Sequence, residues 1–170
     1  WPGKFTPMQH QIETASFLTL YRRAFCFNDP GTGKTLSALW AADYLMKRGD
    51  VRRVLILCPL SIMQSAWQQD LFKFAVHRTV GVAYGDAEKR KRVIESNVEF
   101  VVINYDGIPA ISETLLTNNP FDLIVIDEAN AYKTASTRRW KTLAKLITPG
   151  TRLWMMTGTP ASQSPVDAFG

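Results

Sequence analysis

The chain is poor in the residues that build disulfide scaffolds and metal sites, with two cysteines and two histidines among its 170 residues. Cys26 and Cys58 each lie inside an apolar run, where reduced thiols packed in a core are expected rather than a disulfide. His10 and His77 are far apart and lack the spacing of metal ligands. No apolar run approaches the roughly 18 residues that a membrane-spanning helix requires. These absences argue against a disulfide-stabilised fold, a metal-centred fold and a membrane protein.

The composition is that of an ordinary globular domain, with 46% hydrophobic and 21% charged residues. A chain of 170 residues suits one domain, and no repeat, low-complexity segment or internal linker divides it. Because the first residue is Trp1 rather than methionine, we expect residues 1–170 to be one domain excised from a longer protein. The net charge of +5 permits binding to a polyanion without requiring it.

Short apolar runs alternate with amphipathic segments along the chain. The runs predict strands at 24–27, 53–58, 79–84, 99–104, 121–126 and 152–156. The amphipathic segments predict helices at about 6–22, 36–48, 61–74, from about 86, and 136–147. Thr6 and Ser61 are expected to cap two of these helices, each with a glutamine three residues later. This alternation predicts a three-layer α/β fold, with a mainly parallel central sheet and helices on both faces.

Residues 28–35, with the sequence Asn-Asp-Pro-Gly-Thr-Gly-Lys-Thr, are predicted to form a phosphate-binding loop. They join a strand to a helix, as this loop requires, so backbone N–H groups and the helix N-terminus can face an anion. Lys34 is expected to reach the β- and γ-phosphates and take part in catalysis, and the Thr35 hydroxyl is expected to bind Mg²⁺. Asn28 stands where the strict pattern has glycine, and asparagine tolerates a left-handed backbone. The nucleotide-binding residues predicted here are Asp29, Pro30, Gly31, Thr32, Gly33, Lys34 and Thr35.

The strand ending at Ile126 delivers two adjacent carboxylates at its C-terminal end. Ligands of parallel sheets bind at that edge, so Asp127 and Glu128 should face the same crevice as the phosphate loop. Asp127 is suited to hold Mg²⁺, directly or through a water ligand, and Glu128 to orient the attacking water or act as general base. A solvated acidic turn after a buried strand is the alternative interpretation.

The nucleotide is expected to be ATP, because no Asn-Lys-x-Asp guanine-binding motif is present. Gln11 is the candidate adenine-binding residue, since a side-chain amide can pair with N6 and N7 of adenine. A solvent-facing helix glutamine is the alternative. Gln9 is a rival for the same role, although a place in the helix cap would explain it.

Taken in order, these motifs resemble the first RecA-like lobe of superfamily-two helicases, in the Swi/Snf-like branch, over nearly the whole chain. Residues 8–13 with 17–18 resemble the Q motif, 28–35 motif I, 55–61 with Trp67 motif Ia, 101–105 the motif Ib region, 127–130 with Lys133 motif II, and 157–160 motif III. The resemblance implies Mg-ATP hydrolysis that drives movement along duplex DNA. It also implies a second RecA-like lobe, absent from this chain, that carries an arginine finger. We therefore expect the isolated lobe to be monomeric and nearly inactive.

The resemblance also implies a nucleic-acid edge with sequence-independent backbone contacts. Its candidate residues, for nucleic-acid contact or for coupling to the second lobe, are Leu60, Ser61, Tyr105, Asn130, Thr157 and Thr159. Asn130 stands where the family has histidine. The basic run Lys89–Arg92 is either a DNA patch or the solvated face of a surface helix, and Arg138, Arg139 and Lys141 are open in the same way.

Two other functions remain open on the sequence. The Pro-Gly-Thr-Gly of the loop resembles AAA+ ATPases, so the chain could be an AAA+ ATPase or P-loop kinase that does not act on nucleic acid. Asn28 and Asn130 would also suit a nucleotide-gated DNA-binding module without hydrolysis. The expected location is intracellular: cytoplasmic in a bacterium or virus, and nuclear in a eukaryote. No membrane partner is expected.

Overall fold

The computed structural model describes residues 5–29, 31–129 and 138–158. Its central feature is a sheet of six parallel strands in the order β1-β6-β5-β2-β4-β3. The strands are β1 (Arg23–Phe27), β2 (Val54–Cys58), β3 (Val80–Ala83), β4 (Phe100–Asn104), β5 (Leu123–Ile126) and β6 (Arg152–Thr157). All the predicted strands are confirmed, with small differences at their ends.

Helices cover both faces of this sheet. They are α1 (Gln9–Leu20), α2 (Lys34–Lys47), α3 (Gln69–Phe74), α4 (Ala87–Glu95), α5 (Ile108–Thr117) and α6 (Arg138–Leu146). In β2, Val54, Ile56 and Cys58 pack with α1 and α2 on one face, whereas Leu55 and Leu57 pack with α4, α5 and α6 on the other. The three-layer α/β prediction is confirmed. Among the described residues, no helix has the length and hydropathy needed to cross a membrane.

Both cysteines are free and buried in strands, as predicted. Burial, with a smaller contribution from the charge of Asp127, raises the pKa of the Cys58 thiol to about 12. A thiol with this pKa remains protonated at neutral pH and is therefore unreactive.

The start of α1 differs from the prediction. Met8, not Thr6, occupies the N-cap position, and its N–H donates to the Gln11 side-chain oxygen at 3.1 Å. Gln11 therefore completes the cap, and Gln9 instead donates to Glu13 at 2.9 Å. Gln11 also donates to the Thr32 carbonyl in the phosphate loop, a contact between distant residues that the local pattern does not reveal.

The segment after β2 is not the single α-helix that its periodicity predicts. It consists of a 3₁₀ turn (Leu60–Ile62), a π-helical turn (Met63–Gln68) and then α3. Ser61 does not cap a helix through its side chain, since it lies inside the 3₁₀ turn after Pro59. The wider π turn allows Met63 and Trp67 to be buried together. The prediction also missed α5, which buries Ile108, Ile111 and Leu115.

A buried charge cluster connects α2 to the loop before β3. Asp43 is only 1% exposed; it accepts hydrogen bonds from His77 at 2.6 Å and Arg78 Nε at 2.7 Å, and its other oxygen lies 3.0 Å from the Lys47 ammonium. Arg78 continues to Glu99 at 2.6 Å. Burial alone would raise the pKa of Asp43, but the hydrogen bonds from His77, Arg78 and Lys47 outweigh it, so the pKa lies below its ordinary value.

Replacing Asp43 with asparagine should lower the free energy of unfolding at pH 7 by about 3 kcal/mol, because the mostly buried guanidinium of Arg78 loses its counter-charge. The pKa of Asp43 is depressed in the folded state, so its stabilisation is complete above the ordinary value of 3.8 and is lost as the pH falls further. The difference between wild type and variant should therefore shrink below that pH. Urea unfolding at several pH values measures both effects.

Asp50→Asn is the matched control, since Asp50 forms a surface pair with Arg48 at 3.1 Å. Exposed pairs contribute only about 0–1 kcal/mol. Equal losses for the two variants at pH 7 would contradict a stabilising role for the buried cluster.

Candidate functional site

The predicted phosphate loop runs from the end of β1 to the start of α2. Gly31 and Gly33 have φ angles of 81° and 78°, in the left-handed region that glycine adopts without steric cost. Between them, the N–H and hydroxyl of Thr32 donate to the Asp29 carbonyl at 3.4 Å and 2.8 Å. Pro30 lies outside the described residues. The loop thus has the strand–turn–helix context that the sequence predicted.

Lys34 is the first residue of α2, directly after the loop, and is buried. Its ammonium donates to the carbonyl oxygens of Asn28 at 2.9 Å and Asp29 at 3.2 Å. No ion pair connects Lys34 to any other residue in the described part of the chain. Its positive charge therefore remains available to an anionic ligand.

Asn28 occupies the first loop position for a reason other than the one expected. Its φ is not in the left-handed region, so tolerance of that conformation does not explain it. Instead its side-chain amide donates to the Thr14 hydroxyl at 2.8 Å, and its backbone N–H donates to the Thr157 carbonyl at 3.3 Å. Asn28 thereby fastens the loop to both α1 and β6.

Gln11 is buried against the phosphate loop and is not the solvent-facing glutamine of the alternative interpretation. Its side-chain nitrogen donates to the Thr32 carbonyl at 3.3 Å, and His10 Nε2 lies 2.9 Å from the same oxygen. A Cβ atom on Gly33 would lie 2.3 Å from the Gln11 nitrogen. The structure joins Gln11 to the loop, and its contact with adenine stays a prediction.

Asp127 follows β5 directly and is 5% exposed. One carboxylate oxygen accepts from Trp67 Nε1 at 2.9 Å, and the other accepts from the Glu128 N–H at 3.0 Å. Burial raises the pKa of Asp127, whereas the Trp67 hydrogen bond and the positive charge of Lys34 oppose the rise. The loop with Lys34 follows β1 and Asp127 follows β5 in the same parallel sheet, so both lie at the C-terminal edge of the strands, and their joint action on one ligand stays a prediction.

Glu128 has a strained backbone that Tyr105 holds in place. Its φ of 54° is the one left-handed value among the described non-glycine residues. The Tyr105 hydroxyl donates to the Asp127 carbonyl and lies 3.3 Å from the Glu128 carbonyl. Tyr105 is buried and its hydroxyl is bonded to the turn that carries the two acidic residues, so its predicted part in nucleic-acid contact or in coupling to the second lobe stays a prediction.

The other candidates for nucleic-acid contact divide by exposure. Leu60, at 55% exposure, and Ser61 lie on the surface after the C-terminal end of β2. Thr157 is fully buried at the end of β6, and its predicted part in nucleic-acid contact or in coupling to the second lobe stays a prediction. The predicted positions Asn130 and Thr159, and the motif positions Lys133 and Pro160, lie outside the described residues.

The basic run on α4 is not a continuous surface patch. Arg90 is buried and donates to the Ala83 carbonyl at 2.8 Å, the Gly85 carbonyl at 2.9 Å and Asn104 Oδ1 at 2.9 Å. The other members, Lys89, Lys91 and Arg92, are exposed. Arg90 thus supports the ends of β3 and β4, which favours the surface-helix interpretation for the run as a whole.

The donor set fits a magnesium ion. Mg²⁺ prefers hard oxygen ligands such as a carboxylate and a hydroxyl. Asp127 offers a carboxylate held by two neutral donors, and no described residue forms a hydrogen bond with the Thr35 hydroxyl in the first turn of α2. Sequence reasoning missed the link from Trp67 and Tyr105 to Asp127, because a contact across 60 or 22 positions leaves no local pattern.

This fold defines a RecA-like domain in which the predicted phosphate loop and the two acidic residues follow strands of one parallel sheet. The SNF2-related domain family model matches residues 10–170, and the chain belongs to that family. The structure is similar to the Sulfolobus solfataricus SWI2/SNF2 ATPase core in complex with dsDNA, with a TM-score of 0.83 and 26% identity. That match covers 98% of this chain and 35% of the other.

Curated relatives have a sequence identity to this chain close to that of the solved structure. Putative protein p41 of Acyrthosiphon pisum secondary endosymbiont phage 1 is 28% identical over 98% of this chain and 38% of its own length. The uncharacterized ATP-dependent helicase YqhH of Bacillus subtilis is 28% identical over 84% of this chain and 25% of its length. The chromatin-remodeling ATPase INO80 of Candida albicans is 28% identical over 95% of this chain and 12% of its length. The chain therefore spans well under half the length of these relatives.

The contact between Gln11 and Gly33 can be tested without nucleotide. Gly31→Ala and Gly33→Ala both place a side chain at φ near +80°, which costs about 1–2 kcal/mol. Only Gly33→Ala also displaces Gln11, because the new methyl group would meet its amide. We expect Gly33→Ala to lower the free energy of unfolding by about 1–2 kcal/mol more, for two lost hydrogen bonds.

The Gln11→Ala background provides the control in a double-mutant cycle. Once the amide is removed, the two glycine substitutions should cost nearly the same in urea unfolding. If Gly33→Ala still lowers the free energy of unfolding more than Gly31→Ala in this background, a clash with Gln11 does not explain the difference.

Proposed function

We propose that this domain is the ATP-binding lobe of a DNA-dependent ATPase of the SNF2 type. Together with a second RecA-like lobe it would hydrolyse Mg-ATP and move along duplex DNA. The observation that carries the proposal is that the loop with Lys34 and the turn with Asp127 and Glu128 both follow the C-terminal ends of parallel strands in one sheet. The SNF2-related family match supports it, and favours it over an AAA+ ATPase or P-loop kinase.

The residues of the crevice suit distinct roles. Lys34 would exchange its two carbonyl contacts for the β- and γ-phosphates, and Gln11 would bind adenine from the adjacent face of the loop. Thr35 and Asp127 would hold Mg²⁺, which neutralises the charge that develops on the phosphate oxygens. Glu128, half-buried with a carboxylate that forms no hydrogen bond to the described residues, would orient the attacking water.

The lobe supplies only part of a hydrolytic site. No arginine among the described residues forms a hydrogen bond to the loop or to the two carboxylates. In P-loop ATPases an arginine finger contributes about 10³–10⁵ in rate. We infer that the second lobe provides this arginine, and that the isolated lobe hydrolyses ATP barely.

Duplex DNA is the proposed partner. Leu60 and Ser61 are exposed at the same sheet edge as the crevice, where backbone N–H groups and a hydroxyl can contact phosphates. The net charge of +5 favours association with a polyanion. The similar SWI2/SNF2 ATPase core binds dsDNA in its solved structure.

Two substitutions separate nucleotide binding from hydrolysis in the full-length protein. Lys34→Ala should remove nucleotide binding, because the phosphates lose their cation. Glu128→Gln should retain binding and reduce turnover by at least about 10², since an amide cannot serve as a base. Titration calorimetry with ATP and a phosphate-release assay measure the two effects.

Lys145→Ala and Glu113→Gln are matched controls on exposed helix faces, and both should behave as wild type. Unchanged turnover in Glu128→Gln would exclude the water-orienting role. Unchanged nucleotide affinity in Lys34→Ala would exclude the proposed phosphate site.

Duplex DNA should stimulate ATP turnover of the full-length protein, and duplexes of unrelated sequence should stimulate it equally. Backbone contacts also predict that log K for DNA binding falls linearly with log salt, with a slope that reports the number of phosphate contacts. A salt series from about 50 to about 200 mM, followed by fluorescence anisotropy, measures the slope. A turnover rate indifferent to duplex DNA would instead favour an ATPase that does not act on nucleic acid.

A further inference from the structure

Trp67 connects the exposed edge after β2 to the buried carboxylate of Asp127. The segment 60–74 begins on the surface at Leu60 and Ser61, then forms the π turn that contains Trp67. The Trp67 ring is 1% exposed, and its Nε1 donates to Asp127 Oδ2 at 2.9 Å. The segment 60–74 is therefore exposed to solvent where it begins, at Leu60 and Ser61. Within two turns it contacts Asp127 in the crevice through Trp67.

The hydrogen bond from Trp67 restricts how Asp127 can be oriented. An indole is a donor only, so it bonds the carboxylate without competing for a cation. The second oxygen accepts from the Glu128 N–H at 3.0 Å, so donors from two separate elements hold the two oxygens. A carboxylate has about four acceptor positions, which leaves the remaining ones for a metal ion. Rotation of this carboxylate would break both hydrogen bonds.

The segment is also built to transmit a displacement. Met63, Trp67 and Leu71 are packed in the core under the sheet, where close packing allows little independent movement. Between Ser61 and Trp67 the chain is helical throughout, first 3₁₀ and then π. Turns of π-helix occur often at functional sites. The exposed residues Leu60 and Ser61 are thus joined to the indole by continuous helical backbone with no intervening loop.

We propose that Trp67 is a positioning residue that orients Asp127 for the metal ion and transmits to it contacts made at Leu60 and Ser61. This inference rests on the proposed function, since it concerns regulation of the same site by nucleic acid. It assigns to Trp67 a role beyond filling the core. Trp154 provides the contrast: it is buried to the same degree, but its indole donates to the Tyr21 carbonyl at 3.4 Å.

The test compares Trp67→Phe with Trp154→Phe in the full-length protein. Both variants retain an aromatic ring and lose one buried N–H donor. Manganese is the probe: its affinity for the ADP-bound protein is followed by electron paramagnetic resonance, which needs no turnover. Loss of an outer partner of a metal ligand costs about 10–100-fold in metal affinity, and this loss is expected for Trp67→Phe but not for Trp154→Phe.

Transmission is measured by repeating the titration with saturating duplex DNA. In wild type, DNA should change manganese affinity, and in Trp67→Phe this change should disappear. Equal manganese affinity in the two variants would overturn the positioning role. A DNA effect that persists at full size in Trp67→Phe would overturn the transmission.

The outcomes also separate this inference from the proposed function. If wild type binds no manganese with ADP, and Lys34→Ala leaves ADP affinity unchanged, the proposed nucleotide site itself fails. If wild type binds both and only the comparison of tryptophan variants fails, Trp67 alone loses its role. Should Trp67→Phe not fold, the indole N–H signal of Trp67 in ¹⁵N-tryptophan-labelled wild type decides. It should shift when Mg-ADP is added, and an unmoved signal overturns the proposal.

Discussion

The buried carboxylate of Asp127 is the group on which the geometry of the crevice depends. A buried charge is tolerated only when it is bonded or paired. Here the indole of Trp67 and the N–H of Glu128 bond it directly. These two groups belong to the segment 60–74 and to the turn after β5, so Asp127 keeps this orientation only when both elements are in place. The positive charge of Lys34 lowers the pKa of Asp127, against the rise that burial causes.

The order of the strands determines how the loop and the carboxylates meet. β1 and β5 are not neighbours, because β6 lies between them, and adjacent strands are about 4.8 Å apart. The C-terminal ends of β1 and β5 are thus about 10 Å apart, and the end of β6 lies between them. Thr157 lies there, fully buried, with its carbonyl bonded to Asn28. This position explains why Thr157 supports the loop and is not part of an exposed edge.

The features that local sequence encodes were predictable. The strands follow from continuous apolar runs, and the phosphate loop and the acidic pair follow from their places at strand ends. The features that failed depend on contacts between distant residues. Gln11 caps α1 from within the first turn and also binds Thr32, and the buried Tyr105 bonds the turn after β5. The spacing of apolar residues predicts an α-helix and does not reveal a π turn. The π turn nevertheless contains Trp67, which bonds Asp127.

The backbone of Glu128 is conformationally strained. A non-glycine residue at a φ of 54° is destabilised by about 1–3 kcal/mol relative to an ordinary conformation. Glycine at this position would remove the strain, but it would also remove the carboxylate. Hydrogen bonds to the Tyr105 hydroxyl and to the Asp127 side chain hold the turn in the strained conformation. The phosphate loop avoids such a cost at Asn28, whose backbone is ordinary and whose side chain binds Thr14. Among the described non-glycine residues, left-handed strain is thus confined to Glu128, the position that we propose orients the attacking water, and this coincidence supports the proposal.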